Sequence, residues 1–257
     1  MSARLEIADH VARVTIERPA VLNALDADTE AALTGIWQRL EADRNIRAVV
    51  LTGAGERAFC VGADMKNVGK SGLEYWAAAR PDGFGGIALR TTLDIPVIAR
   101  VNGHALGGGF EMVLGCDIVI AAEEASFGLP EPRVGRLPLD GGMVLLARQI
   151  PFRPAMGMLL TGRRISARQA AEFGLVNEVV PRPELDMAVD RWLADILACA
   201  PLSLRAIKQT VRRTAQLAAG EAQALRLPAL IECLQSADAD EGVRAFREKR
   251  AAVWSGR

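Results

Sequence analysis

A run of three glycines, Gly107–Gly109, constrains the fold of this chain more than any other feature. It lies in the segment VNGHALGGGFE (101–111), between a strand-like apolar run and a helix-like run. A strand, a glycine-rich turn and a helix start leave backbone N–H groups without an intrahelical partner, and glycine lets other groups approach them closely. Glu111 follows within one helical turn. The segment is either a tight packing corner or an oxyanion cradle beside a carboxylate.

Two further segments offer groups that could meet this corner. ERAFCVGADMK (56–66) follows the strand-like run AVVLTG and presents backbone N–H groups around Gly62, Ala63 and Asp64. SFGLPEPRVGRLPLDGG (126–142) carries Glu131 after a proline that stiffens the chain. Between the two glutamates there is room for a helix, a turn and a strand, so the chain can double back and bring both to one pocket. Each feature alone could be structural, but together they indicate acid–base chemistry on a carbonyl compound.

Composition excludes several classes of function. In the 257 residues, 31 basic side chains balance 31 acidic ones, so no net field favours nucleic acid or a membrane. No long uncharged apolar run and no secretion leader are evident. The four cysteines are scattered without C-x-x-C spacing and only two histidines accompany them, which argues against zinc and disulfides. We therefore expect a cytoplasmic protein without a metal site.

The hydrophobic pattern divides the chain into two regions. Short β-branched runs alternate with helical patterns up to about residue 183, which predicts an α/β fold with a mostly parallel sheet. Predicted strands are Val11–Ile16, Ala48–Thr52, Val97–Val101, Ile118–Ala121 and Val176–Val180, with a helix from about Asp28 to Ala42 capped by Asp26 or Asp28. Residues 66–86 show no period and predict a mobile loop near the site. From residue 184 the pattern is helical: Asp186–Cys199, Ser203–Ala218, Glu221–Gln235 and Asp240 to the end.

The three motifs AFCVGADMK, HALGGGFE and ASFGLPEPRVGRLP, in this order and spacing, resemble the crotonase, or enoyl-CoA hydratase/isomerase, superfamily. The resemblance extends over almost the whole chain, including NALD around Asn23 and the stretch TGRRISARQAAEFGLVNEVV. It implies a crotonase-like spiral of ββα units over residues 1–183 that carries the active site. It also implies a helical C-terminal region, residues 184–257, that supports self-association as a trimer or hexamer.

The same resemblance implies the site and the chemistry. The oxyanion donors fall on the backbone N–H groups of Ala63 and Gly108, and the catalytic glutamates on Glu111 and Glu131. Glu131 is the expected principal acid/base and Glu111 the partner that orients water. The substrate is an enoyl-CoA thioester, so coenzyme A is part of the substrate and no cofactor or metal is expected. Residues expected along the CoA and acyl groups are Ala24, Ala58, Cys60, Gly62, Ala63, Asp64, Met65, Lys66, Gly107, Pro130, Leu139 and Asp140, with Lys66 near the CoA phosphates.

Asp140 departs from the P-G-A-G-G-T run of many family hydratases. It either caps the following helix, GGMVLLARQI, or adds a third carboxylate at the acyl end of the pocket. The segments PDGFGG, TGRRIS and AFREKRAAVWSGR most resemble a hydratase branch whose acyl groups carry a quaternary ammonium. Such a cation would need an aromatic face or a carboxylate, for which Tyr75, Trp76, Phe84 and Asp140 are candidates. Three functions remain open: a hydratase or dehydratase, an enoyl-CoA delta-isomerase, and a non-catalytic acyl-CoA- or RNA-binding protein.

Overall fold

A six-stranded sheet forms the centre of the fold. The computed structural model describes residues 2–65 and 71–257, so Lys66 lies outside the described residues. Numbered in chain order, the strands lie side by side as β1 (Ala3–Ala8), β2 (Val11–Ile16), β3 (Ala48–Gly53), β5 (Val97–Val101), β7 (Ile118–Ala122) and β10 (Glu178–Val180). All neighbours are parallel except β1 and β2. Four predicted strands are confirmed to within a residue, and the fifth begins two residues later than predicted.

A smaller sheet of four strands was not predicted. It contains β4 (Ala58–Cys60), β6 (His104–Leu106), β8 (Ser126–Gly128) and β9 (Ile165–Ser166). These strands have at most three residues, too few for a hydrophobic period to show. The edge strand β1 was also missed, because most of its residues are exposed or half-buried.

The smaller sheet explains why distant motifs meet. Strands β4, β6 and β8 each follow a strand of the larger sheet within a few residues, and they run parallel to one another. Their carboxyl ends, at Cys60, Leu106 and Gly128, therefore lie at the same edge. The three motifs singled out in the sequence continue from that edge. This repeated succession of a long strand, a short strand and a helical segment confirms the crotonase-like spiral.

Helices connect the strands and cover the sheets. Helix α1 (Ala27–Ala42) begins as predicted at Asp26, whose side chain accepts a 2.9 Å hydrogen bond from the N–H of Thr29. The segment predicted as a loop without a period contains a short helix, α2 (Gly72–Ala77), which begins with a capping box at Ser71. Four further helices are α3 (Gly108–Leu114), α4 (Gly142–Gln149), α5 (Phe152–Thr161) and α6 (Ala167–Glu172).

The C-terminal region is helical, but its helices differ from the prediction. They are α7 (Leu185–Leu197), α8 (Pro201–Thr214), α9 (Ala219–Ala224), α10 (Pro228–Leu234) and α11 (Ala237–Glu248). The single predicted helix 221–235 is wrong. Pro228 cannot donate a backbone hydrogen bond and disfavours helical geometry at Leu227, which is extended and separates α9 from α10.

The final predicted helix does not reach the C-terminus. Helix α11 ends at Glu248, and Lys249 adopts a left-handed conformation. The last residues fold back onto α11, where Asp238 accepts hydrogen bonds from the N–H groups of Ser255 and Gly256 at 2.7 and 2.9 Å. Glu241 likewise accepts a 2.9 Å bond from the N–H of Val253. These tertiary contacts take the place of the helical turns predicted after Glu248, and no local sequence pattern indicates them.

Two apolar clusters cover opposite faces of the larger sheet. One face packs against α1, α3 and the smaller sheet, with Trp37 and Phe59 fully buried. On the other face α7 buries Leu185, Val189 and Leu193 against the strands. The first helix of the C-terminal region therefore contributes to the core. Within residues 2–65 and 71–257, no helix has the length and apolar character needed to cross a membrane.

Candidate active site

Residues Gly107–Gly109 form the glycine corner between β6 and α3, where other groups pack closely against the backbone. Gly107 has a left-handed φ of +55°, and a methyl group on it would lie 2.9 Å from Oε1 of Glu131. A methyl group on Gly108 would lie 2.6 Å from the Phe84 ring, and one on Gly109 would lie 2.1 Å from the carbonyl oxygen of Cys60. Packing therefore requires Gly108 and Gly109, while Gly107 leaves room for the carboxyl group of Glu131.

A second loop brings its backbone to the same corner. The N–H of Leu25 donates to the carbonyl of Gly62 at 2.9 Å, and the N–H of Asp64 donates to the carbonyl of Leu25 at 2.8 Å, which fixes the backbone on both sides of Ala63. A methyl group on Gly62 would lie 3.2 Å from the backbone nitrogen of Gly108. Among the residues that the structure describes, neither Ala63 nor Gly108 uses its N–H as a hydrogen-bond donor. The loop that carries Ala63 thus lies beside the glycine corner, and the N–H groups of Ala63 and Gly108 are both available to a ligand.

Glu131 reaches this corner from the end of β8. It begins a short 3-10 helix (Glu131–Val134) directly after Pro130, and its Oε1 lies over Gly107, as described above. Its other carboxyl oxygen, Oε2, is buried and has no hydrogen-bond partner in the described part of the chain. Burial raises the pKa of Glu131 above its usual range. The structure therefore leaves one oxygen of a buried carboxyl group free to exchange a proton.

Glu111 lies on α3, one turn from Gly107, and is only 2 % exposed. Its Oε1 accepts a 2.8 Å hydrogen bond from the N–H of Gly142, the first residue of α4. Burial raises the pKa of Glu111 to about 8, and the nearby charges of Asp140 and Glu131 act in the same direction. The backbone N–H groups of Gly142 and Asp140 oppose this shift. At neutral pH Glu111 is therefore mainly protonated.

Asp140 does not cap α4, so that prediction is wrong. The residue before the helix is Gly141, with a φ of +117° and no side-chain cap, and Asp140 is turned inward, 5 % exposed. Its Oδ2 accepts a hydrogen bond from the hydroxyl of Tyr75, and its Oδ1 lies 3.3 Å from Nε of Arg80. A helix cap would require the carboxylate to face the first N–H groups of α4, whereas partners from another segment hold it.

Arg80 completes this network and was not singled out in the sequence. Its guanidinium makes two hydrogen bonds to Glu30 on α1, at 2.8 and 3.1 Å, and lies 4.6 Å from the centre of the Tyr75 ring. A cavity of about 170 Å³ adjoins these residues; its lining consists of Tyr75, Trp76, Ala78, Arg80, Leu89, Leu139 and Asp140. A lone arginine before a proline gives no sequence signal, because its partners lie 50 and 60 residues away.

The other predicted contact residues fall into two groups. Ala24, Ala58, Cys60, Gly62 and Gly107 are buried, whereas Met65 is exposed and Asp64, Pro130 and Leu139 are half-buried. Burial raises the pKa of Cys60 to about 12, so its thiol acts as a packing group beside the loop. Arg18 donates to the carbonyl of Ala24 and lies 3.1 Å from Asp64.

The four candidates for a cation site are in different environments. Phe84 packs against Gly108, and Arg80 already covers one face of the Tyr75 ring. Asp140 has both carboxyl oxygens in hydrogen bonds, while Trp76 is 67 % exposed. Of the three aromatic rings, only that of Trp76 is largely open to solvent.

Comparisons with known proteins agree with this architecture. Residues 6–257 match the family model described as enoyl-CoA hydratase/isomerase. The chain is 39% identical over 261 residues to carnitinyl-CoA dehydratase from Proteus mirabilis, covering 100% of this chain and 99% of the relative. It is 40% identical to (E)-benzylidenesuccinyl-CoA hydratase from Thauera aromatica, with both chains fully covered. The segments PDGFGG, TGRRIS and AFREKRAAVWSGR predict a hydratase branch whose acyl groups carry a quaternary ammonium, and these similarities confirm one such enzyme, carnitinyl-CoA dehydratase, as a near relative.

Solved structures show the same fold along the whole chain. Enoyl-CoA hydratase from Bacillus anthracis has a TM-score of 0.91 and 34% sequence identity, and both chains are fully covered. Enoyl-CoA hydratase from Mycobacterium tuberculosis has a TM-score of 0.90 and 31% identity, covering 100% of this chain and 99% of that one. The chain belongs to the enoyl-CoA hydratase/isomerase family and is an enzyme of its hydratase type, a hydro-lyase.

Proposed function

We propose that the chain adds water across the 2,3 double bond of an enoyl-CoA thioester, and removes it in reverse, with Glu111 and Glu131 as the catalytic pair. The observation that carries this proposal is the convergence of the buried Glu111 and the half-buried Glu131 on a corner where the N–H groups of Ala63 and Gly108 are unused as donors. A thioester oxygen that accepted both N–H groups would be stabilised as negative charge develops on it.

The two glutamates then divide the proton transfers. Ionised Glu131 takes a proton from water through its free Oε2 while the water oxygen bonds to C3 and the electron pair of the double bond moves onto the thioester as an enolate. Protonated Glu131 next delivers that proton to C2, which restores the carboxylate. Glu111, fixed by Gly142 and neutral at pH 7, orients the water. Different surroundings for two neighbouring carboxyl groups support this division of roles.

The environment of Asp140 favours hydration over isomerisation. An isomerase would need a group free to carry a proton between C2 and C4. Both oxygens of Asp140, the residue that departs from the hydratase pattern, instead accept hydrogen bonds from Tyr75 and Arg80, so Asp140 is not free to carry that proton. The intact glutamate pair likewise disfavours a non-catalytic acyl-CoA- or RNA-binding role.

The cavity beside Asp140 is the proposed position of the far end of the acyl group. The related carnitinyl-CoA dehydratase and (E)-benzylidenesuccinyl-CoA hydratase are named for very different acyl groups. A crotonobetainyl group could place its cation near Trp76, Asp140 and Glu30, because the side chains of Asp140, Glu30 and Arg80 together carry one net negative charge. Carnitinyl-CoA dehydration is therefore our first candidate activity.

A panel of enoyl-CoA thioesters tests the function. Crotonyl-CoA, crotonobetainyl-CoA and a 3-enoyl-CoA are each mixed with the enzyme, and loss or gain of the enoyl absorbance is followed. Hydration of a 2-enoyl thioester supports the proposal. Turnover of the 3-enoyl thioester alone would identify an isomerase, and binding without turnover of any thioester would identify a non-catalytic protein.

We further propose that the enzyme acts in the cytoplasm as a trimer or hexamer. Helices α8, α10 and α11 expose large apolar side chains, including Val211, Leu234 and Phe246, the last 85 % exposed. Several large exposed apolar side chains in one helical region support a subunit contact there. Light scattering of the purified protein tests the oligomeric state.

A further inference from the structure

The turn between Pro138 and Gly142 encloses the carboxyl group of Glu111. Gly142 donates its N–H to Oε1 of Glu111 at 2.8 Å. A methyl group on Gly142 would lie 3.0 Å from that oxygen and 2.7 Å from Cβ of Pro138. Gly141 adopts a φ of +117°, which side chains rarely allow. The turn is therefore closely fitted to Glu111, and a small displacement of it would move the carboxyl group.

The side chain of Asp140 attaches this turn to two other segments of the chain. Its side chain is bound by Tyr75 of α2 and by Arg80 beyond that helix. Arg80 is in turn held by Glu30 of α1 through two hydrogen bonds. Tyr75 and Arg80 thus bind one buried carboxylate directly, two residues before the N–H that holds Glu111, and Glu30 is connected to it through Arg80.

We propose that Asp140 is a positioning residue for Glu111: Tyr75 and Arg80 fix its side chain, and the turn thereby holds Glu111 where it orients the attacking water. This inference rests on the proposed hydratase function and deepens it. Asp140 itself touches no reacting atom. It acts on Glu111 in two ways. It holds the turn whose Gly142 N–H binds Glu111, and its own charge raises the pKa of Glu111.

The charges of Asp140 and Arg80 have opposite effects on the pKa of Glu111. The largest influences on the pKa of Glu111 are its burial, the charges of Asp140 and Glu131, and the N–H groups of Gly142 and Asp140. The Asp140 carboxylate raises the pKa of Glu111, and the Arg80 guanidinium beside it offsets part of that charge. Glu30 neutralises Arg80 from the other side, and Tyr75 contributes an uncharged hydroxyl. Loss of the Asp140 charge should therefore lower the pKa of Glu111, and loss of the Arg80 charge should raise it.

The test compares kcat against pH for Asp140→Asn and Arg80→Gln in the full-length enzyme, with crotonyl-CoA as the probe. Ionisation of Glu111 should end activity at high pH. This loss of activity, the high-pH limb of the profile, should occur at lower pH in Asp140→Asn and at higher pH in Arg80→Gln. Each shift should correspond to a change of at least about threefold in the ionisation constant of Glu111. In Asp140→Ala, kcat should fall by at least about tenfold while KM changes much less, because a displaced Glu111 no longer orients the water.

Asp238→Asn is the matched control. Asp238 is also a buried carboxylate, 2 % exposed, and it also fixes a chain segment, but it does so on α11. Its change should lower the melting temperature and leave the high-pH limb in place. If Asp140→Ala does not fold, the two opposite shifts still decide the matter, since general loosening cannot produce shifts of opposite sign.

Failure of this inference is distinguishable from failure of the proposed function. If Glu111→Gln removes the high-pH limb while Asp140→Asn and Arg80→Gln leave it unmoved, or move it in the same direction, Asp140 does not position Glu111. If Glu111→Gln retains wild-type kcat and the same limb, the assigned role of Glu111 is itself wrong.

Discussion

The backbone N–H of Gly142 donates a 2.8 Å hydrogen bond to the carboxyl group of Glu111, across 31 residues of sequence. This one contact joins the start of α4 to the middle of α3. It also distinguishes the two glutamates, because Oε2 of Glu131 has no such partner in the described part of the chain. Glu111 is fixed and Glu131 is free, which is the division that the proposed hydration requires.

Replacement of either glutamate should abolish most activity. Glu131→Gln should lower kcat by at least about 100-fold, because it removes the group that transfers the proton. Glu111→Ala should also lower kcat by at least about 100-fold, because no side chain then orients the water. The binding of CoA thioesters should change little in either variant. The double variant should be little worse than the worse single one, since the two groups act on one water. Steady-state kinetics on crotonyl-CoA measures this effect. Glu124→Gln, at an exposed position, serves as a control, and near-normal turnover in Glu131→Gln would contradict the mechanism.

Glu111→Gln should also stabilise the protein at alkaline pH. Burial raises the pKa of Glu111 from 4.5 to about 8, so the folded state keeps a proton that the unfolded state has lost. The stability from protonated Glu111 is complete below pH 4.5 and disappears as pH rises through about 8. Glutamine avoids this loss, because it cannot ionise.

Thermal unfolding at several pH values checks that expectation. The melting temperature of Glu111→Gln relative to wild type should increase between pH 5 and pH 8, by an amount equivalent to at least about 1 kcal/mol. Glu172→Gln, which changes an exposed carboxylate on α6, should show no such trend. A difference independent of pH would mean that Glu111 is not protonated in the folded enzyme.

Gly107→Ala should impair catalysis more than folding. The added methyl group would lie 2.9 Å from Oε1 of Glu131, so the carboxyl group must move, and kcat should fall by at least about tenfold. Gly174→Ala is a matched control: its φ is +84°, yet a methyl group there has nothing within 4 Å. Both variants should lose stability from backbone strain, about 1 kcal/mol each. Equal kcat in the two would show that Gly107 is needed for the turn alone.

Removal of residues 184–257 should give aggregated or monomeric, poorly active protein. Helix α7 covers one face of the larger sheet through Leu185, Val189 and Leu193, and its loss exposes that face. A milder change, Phe246→Asp, should weaken the oligomer while leaving the melting temperature of the subunit nearly unchanged, because this side chain is 85 % exposed. Light scattering distinguishes these cases. An oligomer of unchanged size after truncation would contradict a role of this region in assembly.

Local pattern was sufficient for the features that depend on local physics. The longer strands of the central sheet, the start of α1 at Asp26 and the glycine turn at Gly107 that opens α3 follow from apolar runs, capping and glycine geometry. The short strands β4 and β6 were missed, because three residues show no period. Pro228 indicates a helix break in the sequence, but the helical pattern on both sides of it led to the prediction of one continuous helix.

Only the tertiary structure decided the partners of charged groups. The sequence before α4 suited Asp140 as a cap, but Tyr75 and Arg80, about 60 residues away, provide its hydrogen bonds. The fold-back of the last residues onto Asp238 and Glu241 is of the same kind. The sequence alone determined which residue types could perform the chemistry and that they lie at the ends of strands. Their pairing and the raised pKa of Glu111 depend on burial and on long-range contacts, which exist only once the sheets are stacked.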